Sequence, residues 1–193
     1  MERIIAYAMS IKFNETEIKS MEQILKDFLE ESGITLTVPV DIFAIATELG
    51  FDVRGAEFGG DLDGLLLVNE NEKVIKPFSS NKIIAYNCTK PLEHKKFIVA
   101  HELAHYIEEK HKNPDKKIVC AARDHTEPYS NNREEQRKDY ISAAMLMPWD
   151  IVKDKYQNTE PKNTDTFYQQ VADDFKVSKI MAIRRIEELF DVE

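Results

Sequence analysis

EHKKFIVAHELAHYI, Glu93 to Ile107, decides how the rest of the chain is read. Pro91 opens it, no glycine or proline interrupts it, and Phe97, Ile98, Leu103, Tyr106 and Ile107 give it an apolar side, so one amphipathic helix is predicted. Residues four apart share a helix face, which sets His101 and His105 one turn apart with Glu102 directly after the first. Two histidines at this spacing can reach one zinc ion and leave positions for a third protein ligand and a water. The glutamate then stands where it can take that water's proton. The pattern points to hydrolysis of a peptide bond. The plainer alternative, two polar residues hydrogen-bonded on the rim of the apolar face, is disfavoured by the helical setting.

A site of this kind needs a third ligand, expected on a second helix downstream. NNREEQRKDYISAAMLMP, Asn131 to Pro148, supplies one. Glu135 and Asp139 are four apart and face the same way, so Glu135 can bind the metal while Asp139 accepts the remaining ring N–H of a histidine and fixes its tautomer. Ser142, Ala143 and Ala144 are small enough to let this helix lie close against the first. Alone, REEQRKD would read as a solvated charge run; the upstream motif favours the metal reading. Glu134 remains a rival ligand, because spacing does not fix the rotation of the helix.

These stretches together resemble the ImmA/IrrE family of zinc metallopeptidases of bacteria, mobile elements and phages. The matching segments are IIAYN (Ile83 to Asn87), KKFIVAHELAHYI (Lys95 to Ile107), EQRKD (Glu135 to Asp139) and AAMLMP (Ala143 to Pro148). Counting back from Leu146-Met147-Pro148 places Glu135 and Asp139 on the family's glutamate and Asn/Asp positions. Lys138 stands where the family usually has alanine, Ile141-Ser142 where it has Phe-Ala, and Ala104 where glycine is common. None of these removes a metal or base group. Upstream, PVDIFAIATELGFDV and GDLDGLLLV resemble the family's opening helix and first two strands; downstream, VADDFKVSKIMAIRRIEEL resembles its closing helical pair.

Length and composition agree with this reading. A chain of 193 residues with 42% hydrophobic content can bury one good core. The expectation is a single domain: an N-terminal helical extension over 1–35, a zincin-like core over 36–155 and a helix-turn-helix-like pair over 160–193. A formal charge of -9 argues against nucleic acid or an anionic membrane as the main partner. No apolar run is long enough for a signal peptide or a bilayer span, so a soluble, cytoplasmic protein is expected. Cys88 and Cys120 are far apart and read as free thiols.

Along the chain, Asn14 is expected to cap a first helix carrying Ile18, Met21, Ile24, Leu25, Phe28 and Leu29, closed by Gly33. A shorter helix follows Pro39 and stops at Gly50. FDV, GLLLVN, KVIK and KIIAYN then read as short strands split by glycine, asparagine and serine. Lys110 to Arg133 reads as a loop joining the two metal-bearing helices. His125, Tyr106 and Tyr140 are considered as donors to a developing oxyanion, with packing or surface roles preferred for each, and His111 as a capping residue. In the C-terminal pair Val177 fills the turn, Ser178 caps, and Ile180, Ile183 and Ile186 form an apolar stripe beside Arg184 and Arg185. Acidic neighbours Asp173, Asp174, Glu187 and Glu188 dilute those arginines, so packing against the core is preferred over DNA binding.

The sequence therefore reads as an α+β zincin-like peptidase with a small sheet. His101, His105 and Glu135 hold Zn2+, Glu102 is the general base, and Asp139 orients a ligand. An exposed strand edge, Lys82 to Asn87, is the expected place for an extended substrate. The resemblance implies the substrate class: a helix-turn-helix repressor whose cleavage relieves repression under stress or in a mobile element. The alternative is a zinc-stabilised, non-cleaving module that binds a repressor or acts as an antitoxin-like partner.

Overall fold

The computed structural model describes residues 13–59, 62–69, 78–114 and 132–190. Within them lie α1 (Glu15–Ser32), α2 (Ile42–Glu48), β1 (Asp52–Ala56), β2 (Gly64–Val68), β3 (Lys82–Asn87), α3 (Leu92–Lys112), α4 (Arg133–Leu146), α5 (Trp149–Asn158), α6 (Asp165–Phe175) and α7 (Lys179–Phe190). The fold is α+β. The expected strand KVIK, most of the loop after His111, His125 and Cys120 lie outside the described residues.

α1 begins and ends where its caps dictate. The Asn14 side chain accepts from the Glu17 amide while Glu17 reaches back to the Asn14 amide, and Gly33 takes the left-handed conformation that releases the chain. Met21, Ile24, Leu25 and Phe28 fall on one face and are buried. Each contributes about 1.5–3 kcal/mol by burial, well above the ~1 kcal/mol of a cap, so contact with α3 and α4 holds the helix in place.

The sheet has the order β1-β3-β2, with β1 parallel and β2 antiparallel to β3. Lys82–Asn87 is thus the central strand, with both edges paired. The expectation of a free edge there is corrected: β1 and β2 pair with its backbone on either side, and Ile83, Ile84, Ala85 and Asn87 are buried. Among the described residues β2 is an edge strand, and it lies beneath α3. Its alternation puts Gly64, Leu66 and Val68 inward.

α3 is more deeply set than an amphipathic reading suggests. Sheet strands β2 and β3 cover one side and α4, α1 and α2 the others, so nearly every residue from Lys96 to Glu108 is buried. Leu103, Ala104 and Ile107 are at most 1% exposed. α4 runs against α3 with the face that carries Glu135, Asp139 and Ser142, and the small side chain of Ser142 allows the close approach.

α6 and α7 form the expected hairpin. Lys176 caps α6 in the left-handed conformation, and the Ser178 hydroxyl accepts from the Met181 amide. The inward face of α7 differs from the expected stripe: Ile180 is exposed, and Met181, Ala182, Arg185 and Ile186 are buried. Arg185 is 0% exposed, its Nε donating to the Met147 carbonyl and Nη2 to Glu22 Oε1, with its guanidinium over the Tyr140 ring. Lys96 of α3 donates to the Lys176 carbonyl and ties this hairpin to the central helix. α5 was not foreseen, although Pro148 followed by Trp149, Val152 and Tyr156 carries its start signal and helical spacing. Among the described residues, no helix is long and apolar enough to cross a membrane.

Candidate metal centre

α3 and α4 bring His101, His105 and Glu135 to one point. The two imidazole Nε2 atoms are 3.2 Å apart, and Glu135 Oε2 is 3.3 Å from each. These three can hold a metal ion. An ion bound at about 2.0–2.1 Å in tetrahedral geometry has ligand atoms about 3.3–3.4 Å apart, so the triangle already has the edge lengths such an ion requires. Three donors make three corners, and among the described residues no fourth ligand joins them.

Asp139 stands one turn beyond Glu135 on α4. Its Oδ1 accepts from His101 Nδ1 at 2.9 Å, which leaves Nε2 as the ring nitrogen facing the shared point. Glu134 is exposed, its amide donating to the Asn132 side chain. The rotation of α4 therefore turns Glu135, and not Glu134, toward the histidines. Glu102 is 1% exposed, next to His101 on the buried side of α3 and against β2.

The electrostatics follow from this crowding. Burial opposes a charge on His101, but hydrogen bonds to Asp139 and Glu135 outweigh it and raise its pKa to about 10. For His105 burial dominates and, with the His101 charge alongside, holds the ring below the ordinary histidine range. The hydrogen bonds from His101 and His105 keep Glu135 well below the usual carboxylate range. Three donor atoms on a common point, one of them from an ionised carboxylate, make a site suited to a cation.

The other residues considered for the chemistry lie elsewhere. Tyr106 is buried among Phe28, Phe51 and the Lys82 ammonium. Tyr140 donates to Glu22 on the side of α4 facing α1 and α7. His111 is exposed in the last turn of α3, where the helix ends at Asn113. Sequence reasoning missed two contributors. Gly64 gives Glu102 its room, and Lys138, which looked like part of a solvated run, is 4% exposed beside Glu135. A glycine opening a strand and a lysine at an alanine position were the available signals.

The Peptidase_M78 family model, the IrrE N-terminal-like domain, matches residues 59–187, a span that contains every residue of this cluster. The upstream resemblance drawn for residues 39–53 lies outside that span. No individual curated protein matches the chain.

Proposed function

The chain belongs to the IrrE N-terminal-like peptidase family, and on that premise we propose that it is a zinc-dependent endopeptidase cutting a partner protein. The observation that carries this reading is the triangle of His101, His105 and Glu135 with edges of 3.2–3.3 Å, joined by no fourth ligand among the described residues, beside a buried glutamate. In this reading the three side chains hold zinc, and Asp139 keeps His101 in the ligating tautomer. Bound zinc supplies Lewis acidity, polarising the scissile carbonyl and acidifying a water. Glu102 accepts the proton of the attacking water and delivers it to the departing amine.

β2 is the strand that supports an extended substrate pose. Gly64 sits against Glu102, and among the described residues the edge of β2 away from β3 pairs with no strand. An unprolonged edge offers backbone donors and acceptors to a peptide laid beside it. The resemblance to ImmA/IrrE peptidases supports a helix-turn-helix repressor as substrate, cut under stress or within a mobile element. Direct DNA binding is not part of the proposal: Arg185 is engaged inside the core and the formal charge is -9. The proposed compartment is the cytoplasm, where Cys88 stays a free thiol.

Metal analysis of purified variants tests the reading. Wild type and Glu134→Ala should each retain one equivalent of zinc, His105→Ala and Glu135→Ala should lose it, and Glu102→Gln should keep zinc while losing cleavage. Loss of zinc in Glu134→Ala with retention in Glu135→Ala would overturn the ligand set. Full function in Glu102→Gln would favour a non-cleaving module.

A further inference from the structure

Lys138 is four residues before Ser142 on the buried part of α4 and is almost wholly enclosed, at 4% exposure. Its ammonium lies 3.8 Å from Glu135 Oε1, the oxygen not shared with the histidines, and 3.5 Å from Glu108 Oε2. Glu108, on α3 one turn beyond His105, is 3% exposed and is fixed from its other oxygen by Arg137 Nε at 3.0 Å. A charge buried this deeply is stable only with partners, and both partners of Lys138 are carboxylates on the two helices that carry the cluster. The two oxygens of Glu135 are thereby divided: Oε2 faces His101 and His105 at 3.3 Å, and Oε1 faces a cation.

We propose that Lys138, anchored by Glu108, is a positioning residue that reserves Oε1 of Glu135 and so makes Glu135 a one-oxygen metal ligand. The consequence is a centre with three protein donor atoms and an open corner instead of one filled by a second carboxylate oxygen. Alanine at this position would leave Oε1 free to turn onto the ion. Lys138 thus acts on the ligating carboxylate as an ion-pair partner at 3.8 Å, from outside the ring of metal ligands. The inference rests on the metal site proposed above.

Cobalt(II) in place of zinc tests it, because visible absorption per ion is strong at four-coordinate centres and weak at five- or six-coordinate ones. Wild-type protein saturated with Co2+ should show the four-coordinate intensity. Lys138→Met, which keeps the length of the stem without the charge, should lower that intensity twofold or more. Lys138→Arg should restore it. Glu108→Gln, which retains an acceptor for Arg137 but releases the ammonium, should lower it in the same direction and serves if Lys138→Met does not fold. A wild-type protein that takes up no Co2+ would overturn both the metal site and this inference. Uptake by wild type, with an unchanged spectrum in Lys138→Met or in Glu108→Gln, would overturn the role of Lys138 alone.

Discussion

Gly64 of β2 stands so close to Glu102 of α3 that a β-carbon on it would lie 2.7 Å from Glu102 Oε1 and 2.5 Å from Ile98 Cγ2. The edge strand and the proposed base are in contact only because this residue has no side chain. Gly64→Ala must therefore push Glu102 or β2 aside. Overpacking of this kind costs about 1–3 kcal/mol of stability. A displacement near 1 Å at the base is expected to lower kcat/KM by about 100-fold. Zinc content should be unchanged, since no ligand touches the glycine; equal activity of the variant and wild type would remove Glu102 from the chemistry.

Asp139→Asn removes the acceptor that fixes the His101 ring. The variant should bind zinc about 10–100-fold more weakly, as chelator competition would measure. A Gln136→Ala control on the same helix should not. Unaltered affinity in Asp139→Asn would make the carboxylate incidental to the metal centre.

His101 gives the metal-free protein a pH dependence of definite sign. Its folded pKa is raised, to about 10, above an unfolded value of about 6.5. The stabilisation from the charged ring with Asp139 and Glu135 is fully present below about pH 6.5 and is lost as pH rises through the folded value. The melting temperature of chelator-treated protein should fall from pH 7 to pH 10, and the fall should be smaller in Asp139→Asn. Zinc binding should strengthen over the same range because fewer protons compete for the ring. A chelated protein whose melting temperature is flat across this range would contradict the charge assigned to His101.

Arg185 joins three parts of the fold, through Glu22 of α1, the Met147 carbonyl at the end of α4 and the Tyr140 ring. Arg185→Met should cost about 3 kcal/mol, because the Met147 carbonyl and the Glu22 carboxylate lose a partner. Denaturant unfolding measures this, and metal content at low denaturant should be normal. A change below about 0.5 kcal/mol would place the arginine outside the stabilising network.

Much of this architecture is legible in the residues themselves. The caps at Asn14 and Gly33, the helix through His101 and His105, and the strand ending at Asn87 are local signals that the fold obeys. Long-range order is what the pattern does not carry. Nothing in KIIAYN says that it is the middle strand: Ile83, Ile84 and Ala85 are buried in succession, and an apolar run covered on both faces can lie at the edge or in the middle of a sheet. The inward turn of Arg185 needs Glu22, 163 positions away in sequence, before burial of the charge is affordable. The choice of Glu135 over Glu134 depends on helix rotation, which the packing of α4 against α3, α1 and α7 sets. Lys138 was opaque for the same reason, since its partner Glu108 lies on the other helix.

The central claim is that this chain cuts a protein by the action of Glu102 at the centre formed by His101, His105 and Glu135. The most direct measurement compares new protein N-termini in cells carrying either the wild-type chain or Glu102→Gln, before and after DNA damage. The account predicts at least one terminus that arises only with wild type, on a helix-turn-helix repressor. Identical sets of termini from the two strains, with both proteins expressed and zinc-loaded, would contradict it.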